Sequence, residues 1–342
     1  MHKTKTTVLR FPSLLKTTEV FETYWYLAAE RQAIFFRRLE NDTLDYWTDD
    51  HILKKFKFTN AYRASDRVSQ YLIKNVIYKG DQSPQEVFFR ILLFKLFNRI
   101  ETWELLEREL EVICYEGYTF ENYDRLLTKV RERKEKIYSA AYIMPSGVSS
   151  LGFNLKHRNH LKLLEMMMTD ELPLRLMETK SMKQAFELLR SYPTIGDFLA
   201  YQFVTDLNYS ELLNFPENEF VVPGPGALSG LRKCFSSYEY CTETDLINLV
   251  MERQEEEFAK RGINFKSLWG RPLQLIDCQN LFCEVDKYAR VKHPEVKGIS
   301  DRKRIKQHYK PNPKCINYWY PPKWRINHSI EQNNKITTDT NI

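Results

Sequence analysis

No stretch of this chain approaches the roughly 18 uninterrupted apolar residues that a membrane-spanning helix needs. The basic start, Met1 to Thr18, lacks the apolar core of a secretion signal. Cysteines fall at Cys114, Cys234, Cys241, Cys278, Cys283 and Cys315 with no CxxC pair, which argues against a disulfide framework and against a four-cysteine iron–sulfur cluster. His157 and His160 lie one helical turn apart with no third ligand near them, so no metal site is expected, and no other cofactor either. The loop Phe220 to Phe235 is rich in Gly and Pro and invites a nucleotide. Yet Gly230 is followed by Leu231 where a phosphate-cradling GxxxxGK[ST] loop has lysine, so a P-loop kinase is excluded. Repeats are absent and strand signals scarce. These absences describe a reducing, intracellular protein, cytoplasmic in a prokaryote or nuclear in a eukaryote.

What is present is helical periodicity and enough apolar residue, 43% of the chain, to build a core. Helices are expected over 18–38, 59–77, 84–114, 119–138, 158–168, 173–178, 181–190, 196–207, a short one after 226, 243–261 and 272–290. The fold class is therefore all-α. The run Phe88 to Phe97 is apolar almost all round and predicts a central buried helix, with Arg90 and Asn98 on or beside the core where polar groups need partners. Pro145 and Gly147 mark a linker. The expected organisation is an N-terminal segment (1–17), two helical lobes (18–145 and 146–296), a basic and aromatic extension (297–327) and a polar, disordered tail (328–342).

Between two helices, Ser191-Tyr-Pro-Thr-Ile-Gly196 reads as a tight hairpin. Its glycine lets backbone approach a ligand, and the first N–H groups of the following helix are natural donors to an anion. Thr194, Ile195 and Gly196 are thus candidates to grip a DNA phosphate; an ordinary helical corner has the same pattern. Gly224 and Gly226, with Arg232 and Lys233 at the end of the next helix, form a second candidate DNA contact.

The net charge of +6 is concentrated late in the chain. From Lys297 to Arg325, basic residues including Arg302, Lys303 and Arg304 are interleaved with Tyr309, Tyr318, Trp319, Tyr320 and Trp324. Cations among stacking rings suit a nucleic-acid groove. A proline-spaced tail strapped over the core by its aromatics has the same composition.

A helical wheel of 272–290 gathers Asp277, Asn280, Glu284, Lys287 and Tyr288 on one side. Such a set supplies a general base, a water-positioning amide and an electrostatic partner for a charged sugar, and it equally describes a helix face laced by ion pairs.

Together with 58–67 and 89–103, these blocks resemble the helical domain of phage 5-hydroxymethyluracil DNA kinases. They are similar also to the α-glutamyl/putrescinyl thymine pyrophosphorylases of DNA hypermodification, a group related to helix-hairpin-helix DNA glycosylases. The likeness runs from Thr18 to Arg325 and is most specific over Cys278 to Tyr288. It implies a glycosylase-like fold acting on a flipped, modified pyrimidine in DNA, with Arg90, Asn98 and Tyr288 around the base. Phage DNA is the expected partner. Such glycosylases carry an aspartate about twenty residues after the hairpin, where this chain has Phe220-Val-Val-Pro-Gly224. Asp206, Asp277 and Glu284 are its candidate replacements, and the kinase domain that accompanies the fold elsewhere is expected to be missing. Excision of a hypermodified base, as in defence against phage, is the favoured reading; displacement of pyrophosphate at the 5-hydroxymethyl carbon and non-catalytic reading are its alternatives.

Overall fold

The computed structural model describes residues 15–40, 47–140, 145, 151–238, 241–300, 302–311 and 316–330. Most of the expected polar tail lies outside them. In chain order come β1 (Lys16–Thr17), α1 (Glu19–Glu40), α2 (His51–Lys55), α3 (Arg67–Tyr71), α4 (Pro84–Phe97), α5 (Ile100–Leu110), α6 (Phe120–Glu132) and α7 (Lys156–Thr169). Next are α8 (Leu172–Met177), α9 (Met182–Arg190), α10 (Asp197–Leu207), α11 (Pro225–Cys234), β2 (Phe235–Ser237), α12 (Glu243–Glu252), α13 (Gln254–Lys260) and α14 (Leu275–Lys292). The architecture is helical, as periodicity implied, and β1 with β2 forms one small antiparallel pair. No helix among the described residues is long and apolar enough to cross a membrane.

Three expected helices are broken, that over 243–261 by a turn at Arg253 between α12 and α13. The 84–114 helix stops at Asn98, whose backbone turns left-handed (φ 47°) while its N–H closes the last turn on Phe94. Arg99 is extended and α5 begins afresh. Asparagine tolerates this conformation better than most residues, and the apolar spacing runs on through the break. The 59–77 helix becomes a 3-10 turn at Arg63–Ser65, then α3, then a π-helical turn at Leu72–Ile77.

The chain divides into two compact units of two segments each, 1–63 with 217–315 and 64–216 with 316–342. The linear boundary expected at 145/146 falls inside the second unit. The cause is α4, buried all round, which draws cover from α7, α8 and α10, all beyond that boundary.

In unit 1, α1 packs on α11 and α14. Tyr24 packs against Phe282 with tilted rings whose centres are 4.5 Å apart, and α11 crosses α14 so closely that a Cβ on Gly230 would lie 1.9 Å from the Phe282 carbonyl oxygen. Beside this crossing the Lys233 ammonium sits 3.1 Å from the Asp286 carboxylate, which also accepts from Ser229 Oγ at 2.7 Å and pairs with Arg290. In unit 2, His157 pairs with Asp124 at 2.8 Å and His160 meets the Pro145 carbonyl at 3.1 Å, so both histidines are held within the fold.

The second half of the basic and aromatic extension is a strap on unit 2. Tyr320 and Ser65 hydroxyls meet at 2.8 Å, the Trp319 N–H donates to Gln70 at 2.8 Å, and Lys323 donates to the carbonyls of Ser210 and Leu213 at 2.7 and 2.6 Å. Trp324 packs edge-on against Tyr209. Those rings and that lysine are committed to the core, not offered to bases.

Candidate nucleic-acid interface and the buried carboxylates

Ser181 caps α9, accepting from the Gln184 N–H at 3.2 Å, and α10 starts after Gly196, so the hairpin stands where its punctuation placed it. Thr194 carries the left-handed turn residue (φ 67°), while Gly196 is extended at φ −87°. The glycine is therefore not demanded by backbone conformation. Nor is it demanded by packing, since a Cβ there would meet nothing within 4 Å. Gly196, as the N-cap residue, offers α10 no side-chain cap. Ile195 is buried and anchors the turn from within. A cavity of about 420 Å³ opens beside it, lined by Glu187, Arg190, Ser191, Ile195, Gly196 and Asp197. Arg190 pairs with Asp197 and so offsets the carboxylate in the first turn of α10.

The other glycine loop is different. Gly224 is the buried N-cap residue of α11, and a Cβ on Gly226 would stand 3.0 Å from Cys283 Sγ, so the missing side chain there makes room for α14. Lys233 is buried against Asp286 and cannot serve as a surface phosphate contact, which corrects the expectation for that residue. Arg232 remains exposed, its guanidinium over the Tyr238 ring at 4.9 Å.

On α14 the expected polar face is present, yet its carboxylates are engaged with backbone. Asp277 accepts from the Arg63 N–H at 2.8 Å and the Gln274 N–H at 3.0 Å, the second bond closing a capping box. Burial pushes its carboxyl up to about 6 despite these donors and the nearby Arg271. Glu284 accepts from the Thr59 N–H at 3.0 Å and from Lys287 at 2.7 Å, and the Lys287 ammonium lies 4.4 Å from the Phe58 ring centre. The Tyr288 hydroxyl donates to Asp50, which also accepts from Tyr26 at 3.0 Å. Burial, with Asp50 beside it, raises the Tyr288 hydroxyl well above the usual phenol range. Asn280 is half-buried on the same helix. The face thus ties α14 to the chain between residues 50 and 63.

Asp206 belongs to unit 2. It is fully buried on α10 with Lys95 at 3.1 Å, and Lys95 also donates to Asn98 at 2.9 Å. Asp206 and Asn98 therefore come together through a lysine not singled out from the sequence. Its signal was a second cation, besides Arg90, in the apolar run of α4. Arg90, expected near a base, is buried and donates to the carbonyls of Val76 at 3.0 Å and Asp81 at 2.6 Å, closing the loop before α4. That geometry corrects its assignment. Arg302, Lys303 and Arg304 are all exposed.

The model of the family described as "5-hmdU DNA kinase, helical domain" matches residues 18–298. This chain belongs to that family. Among curated proteins, the 5-hmdU DNA kinase of Bacillus phage SP10 is 24% identical over 294 residues, which cover 79% of this chain and 45% of the relative. The chain thus spans about half the length of that kinase. No solved structure matches. Neither match extends to glycosylases, so the implied kinship with the helix-hairpin-helix enzymes gains no support. The 5-hmdU DNA kinase helical domain as matched contains the hairpin, α11 and α14, and stops before the basic segment at 302.

Proposed function

We propose that this chain binds DNA carrying 5-hydroxymethyluracil and serves the hypermodification of that base, with the 5-hydroxymethyl carbon as the reacting position. The observation that carries this reading is the family match over 18–298, together with a relative named for the hydroxymethylated nucleoside. The carboxylates support it. Excision needs a carboxylate free to activate water or to face a cationic sugar, whereas Asp277 and Glu284 each accept a backbone N–H. The excision favoured from sequence accordingly gives way to pyrophosphate displacement, in which a nucleophile bonds the 5-methylene carbon as its C–O bond breaks. There the charge of the departing pyrophosphate, rather than removal of a proton, dominates the barrier, so cations matter most.

The hairpin suits the DNA: a helix start whose N-cap glycine brings no side-chain cap, with open space beside Gly196, fits a phosphate and positions the duplex without reading its sequence. The test is to incubate the purified chain with duplexes carrying 5-hydroxymethyluracil or its pyrophosphorylated form, plus a small amine, and to analyse the nucleosides by mass spectrometry. A nucleoside altered at the 5-position is expected. Free base and abasic sites overturn the reading in favour of excision. Selective binding with no product instead selects a non-catalytic reader, the second reading, which the commitment of both α14 carboxylates favours.

A further inference from the structure

Two segments of unit 1, far apart in sequence, are zipped into a short ribbon. The Lys57 N–H donates to the Gln307 carbonyl at 3.0 Å and the Tyr309 N–H to the Lys55 carbonyl at 3.0 Å. Between these bonds Phe56 and His308 form an antiparallel bridge, their rings 5.3 Å apart. Buried Phe58 and Ile305 anchor the inner ends of the two strands. The basic run is thus held in a defined place rather than trailing as a tail.

The ribbon displays charge of one sign. Lys55 and Lys57 are exposed on one strand. Arg302, Lys303, Arg304, Lys306 and Lys310 are exposed on and beside the other. Among the described residues none of these cations forms an ion pair, and neither 51–60 nor 302–311 contains an acidic residue. Of the described carboxylates just before the first strand, Asp49 pairs with Lys54 at 3.4 Å and Asp50 accepts from Tyr26 and Tyr288; Asp301, beside Arg302, lies outside the described residues. Fixed like charges repel one another and cost stability unless a polyanion neutralises them. Lys55, the last residue of α2, and Lys57 flank the Phe56–His308 bridge on either side, and both are exposed.

We infer that this ribbon is a DNA-backbone surface of unit 1, separate from the hairpin of unit 2. The inference rests on the DNA-binding reading above and deepens it, and its second strand lies beyond residues 18–298, where the family match ends. The partner is the phosphate chain of DNA, bound without regard to the modified base. A regular array of phosphates meets a fixed array of cations, releases counterions, and gives a steep dependence on salt.

The test uses the full chain and a fluorescein-labelled duplex of ordinary bases, with affinity followed by anisotropy from low to moderate salt. Lys55→Gln/Lys57→Gln/Lys306→Gln should bind at least tenfold more weakly, and its log affinity against log salt should flatten by about 0.9 for each phosphate contact removed. Lys129→Gln/Lys136→Gln/Lys260→Gln removes the same charge from exposed positions elsewhere and should leave the slope unchanged. All of these lysines are exposed, so glutamine is tolerated at each, and melting curves verify the fold of both variants. An unaltered slope in the ribbon variant, or an equal loss in the control, overturns the inference while leaving DNA binding intact. A wild-type chain that binds no ordinary duplex overturns the inference, and one that also fails to bind a duplex carrying 5-hydroxymethyluracil overturns the proposed function.

Discussion

At Gly196 a Cβ would meet nothing within 4 Å, whereas at Gly226 and Gly230 it would meet Cys283 Sγ at 3.0 Å and the Phe282 carbonyl at 1.9 Å. Gly196 and Gly224 each stand just before a helix, Gly226 and Gly230 lie within α11, and both regions have basic residues near. What separates them is the atom that faces the glycine. In the hairpin the space is left to solvent, so a ligand can use it. In the first turns of α11 the space is taken by α14, and the lysine that follows, Lys233, is absorbed by Asp286. A glycine at a helix start signals close approach; whether the approaching body is a phosphate or another helix is decided elsewhere in the chain.

The sharpest way to break this contrast is Gly230→Ala. The obstructing atom belongs to backbone and cannot rotate away, so a loss of about 3 kcal/mol or more is expected in urea unfolding. Tolerance of alanine would show that α11 and α14 do not cross at the close distance described.

Asp277 gives the next largest effect on the same helix. Because burial raises its folded-state carboxyl to about 6, the stability it contributes is complete below the ordinary carboxylate range and is lost as pH rises towards 6. Wild type should therefore lose on the order of 2 kcal/mol between roughly pH 4 and 6 relative to Asp277→Asn, in which that increment is missing. Parallel pH-dependent melts of the two proteins check it. If Asp277 also acts in turnover, Asp277→Asn abolishes product per folded molecule; a purely structural carboxylate leaves that ratio intact. Glu284→Gln is read in the same way.

Gly226→Ala should cost about 1 kcal/mol, because its obstacle is largely the flexible end of Cys283. The smallest effect on stability belongs to Gly196→Ser: the serine finds open space and is a good N-cap, so the melting temperature should hold or rise slightly. Its DNA affinity should nevertheless fall for modified and unmodified duplexes alike, since the serine hydroxyl competes with a phosphate for the α10 N–H groups and no base is involved. A melting temperature that falls with Gly196→Ser, or DNA affinity that does not, would erase the difference between the two turns.

Helix starts were legible where residues with local chemistry marked them, as with Ser181 before α9 and Gly196 before α10. The break at Asn98 was not, because a left-handed asparagine leaves the apolar spacing undisturbed. The polar face of α14 could be drawn on a wheel, but its partners could not: they are the N–H groups of Thr59 and Arg63, more than 200 residues earlier. Lys95 stayed hidden for the opposite reason, since its carboxylate lies on α10 and only the packed unit brings the two together. Arg302 to Arg304 were visible by composition, whereas Lys55 and Lys57 become part of the same surface only through backbone pairing across the chain.

The packing of α1 against α14 also dictates an order of events during synthesis. Tyr24 meets the Cys278 carbonyl and Phe282 across 254 and more residues, so α1 leaves the ribosome with its buried face uncovered. At about 5–20 residues per second the covering helix follows roughly 13–50 s later. During that interval most of unit 2, from 64 to 216, is already complete and free to form its own core around α4. Unit 1 is thus begun before the 64–216 segment and closed after it, while unit 2 in turn receives its strap, 316–330, last of all.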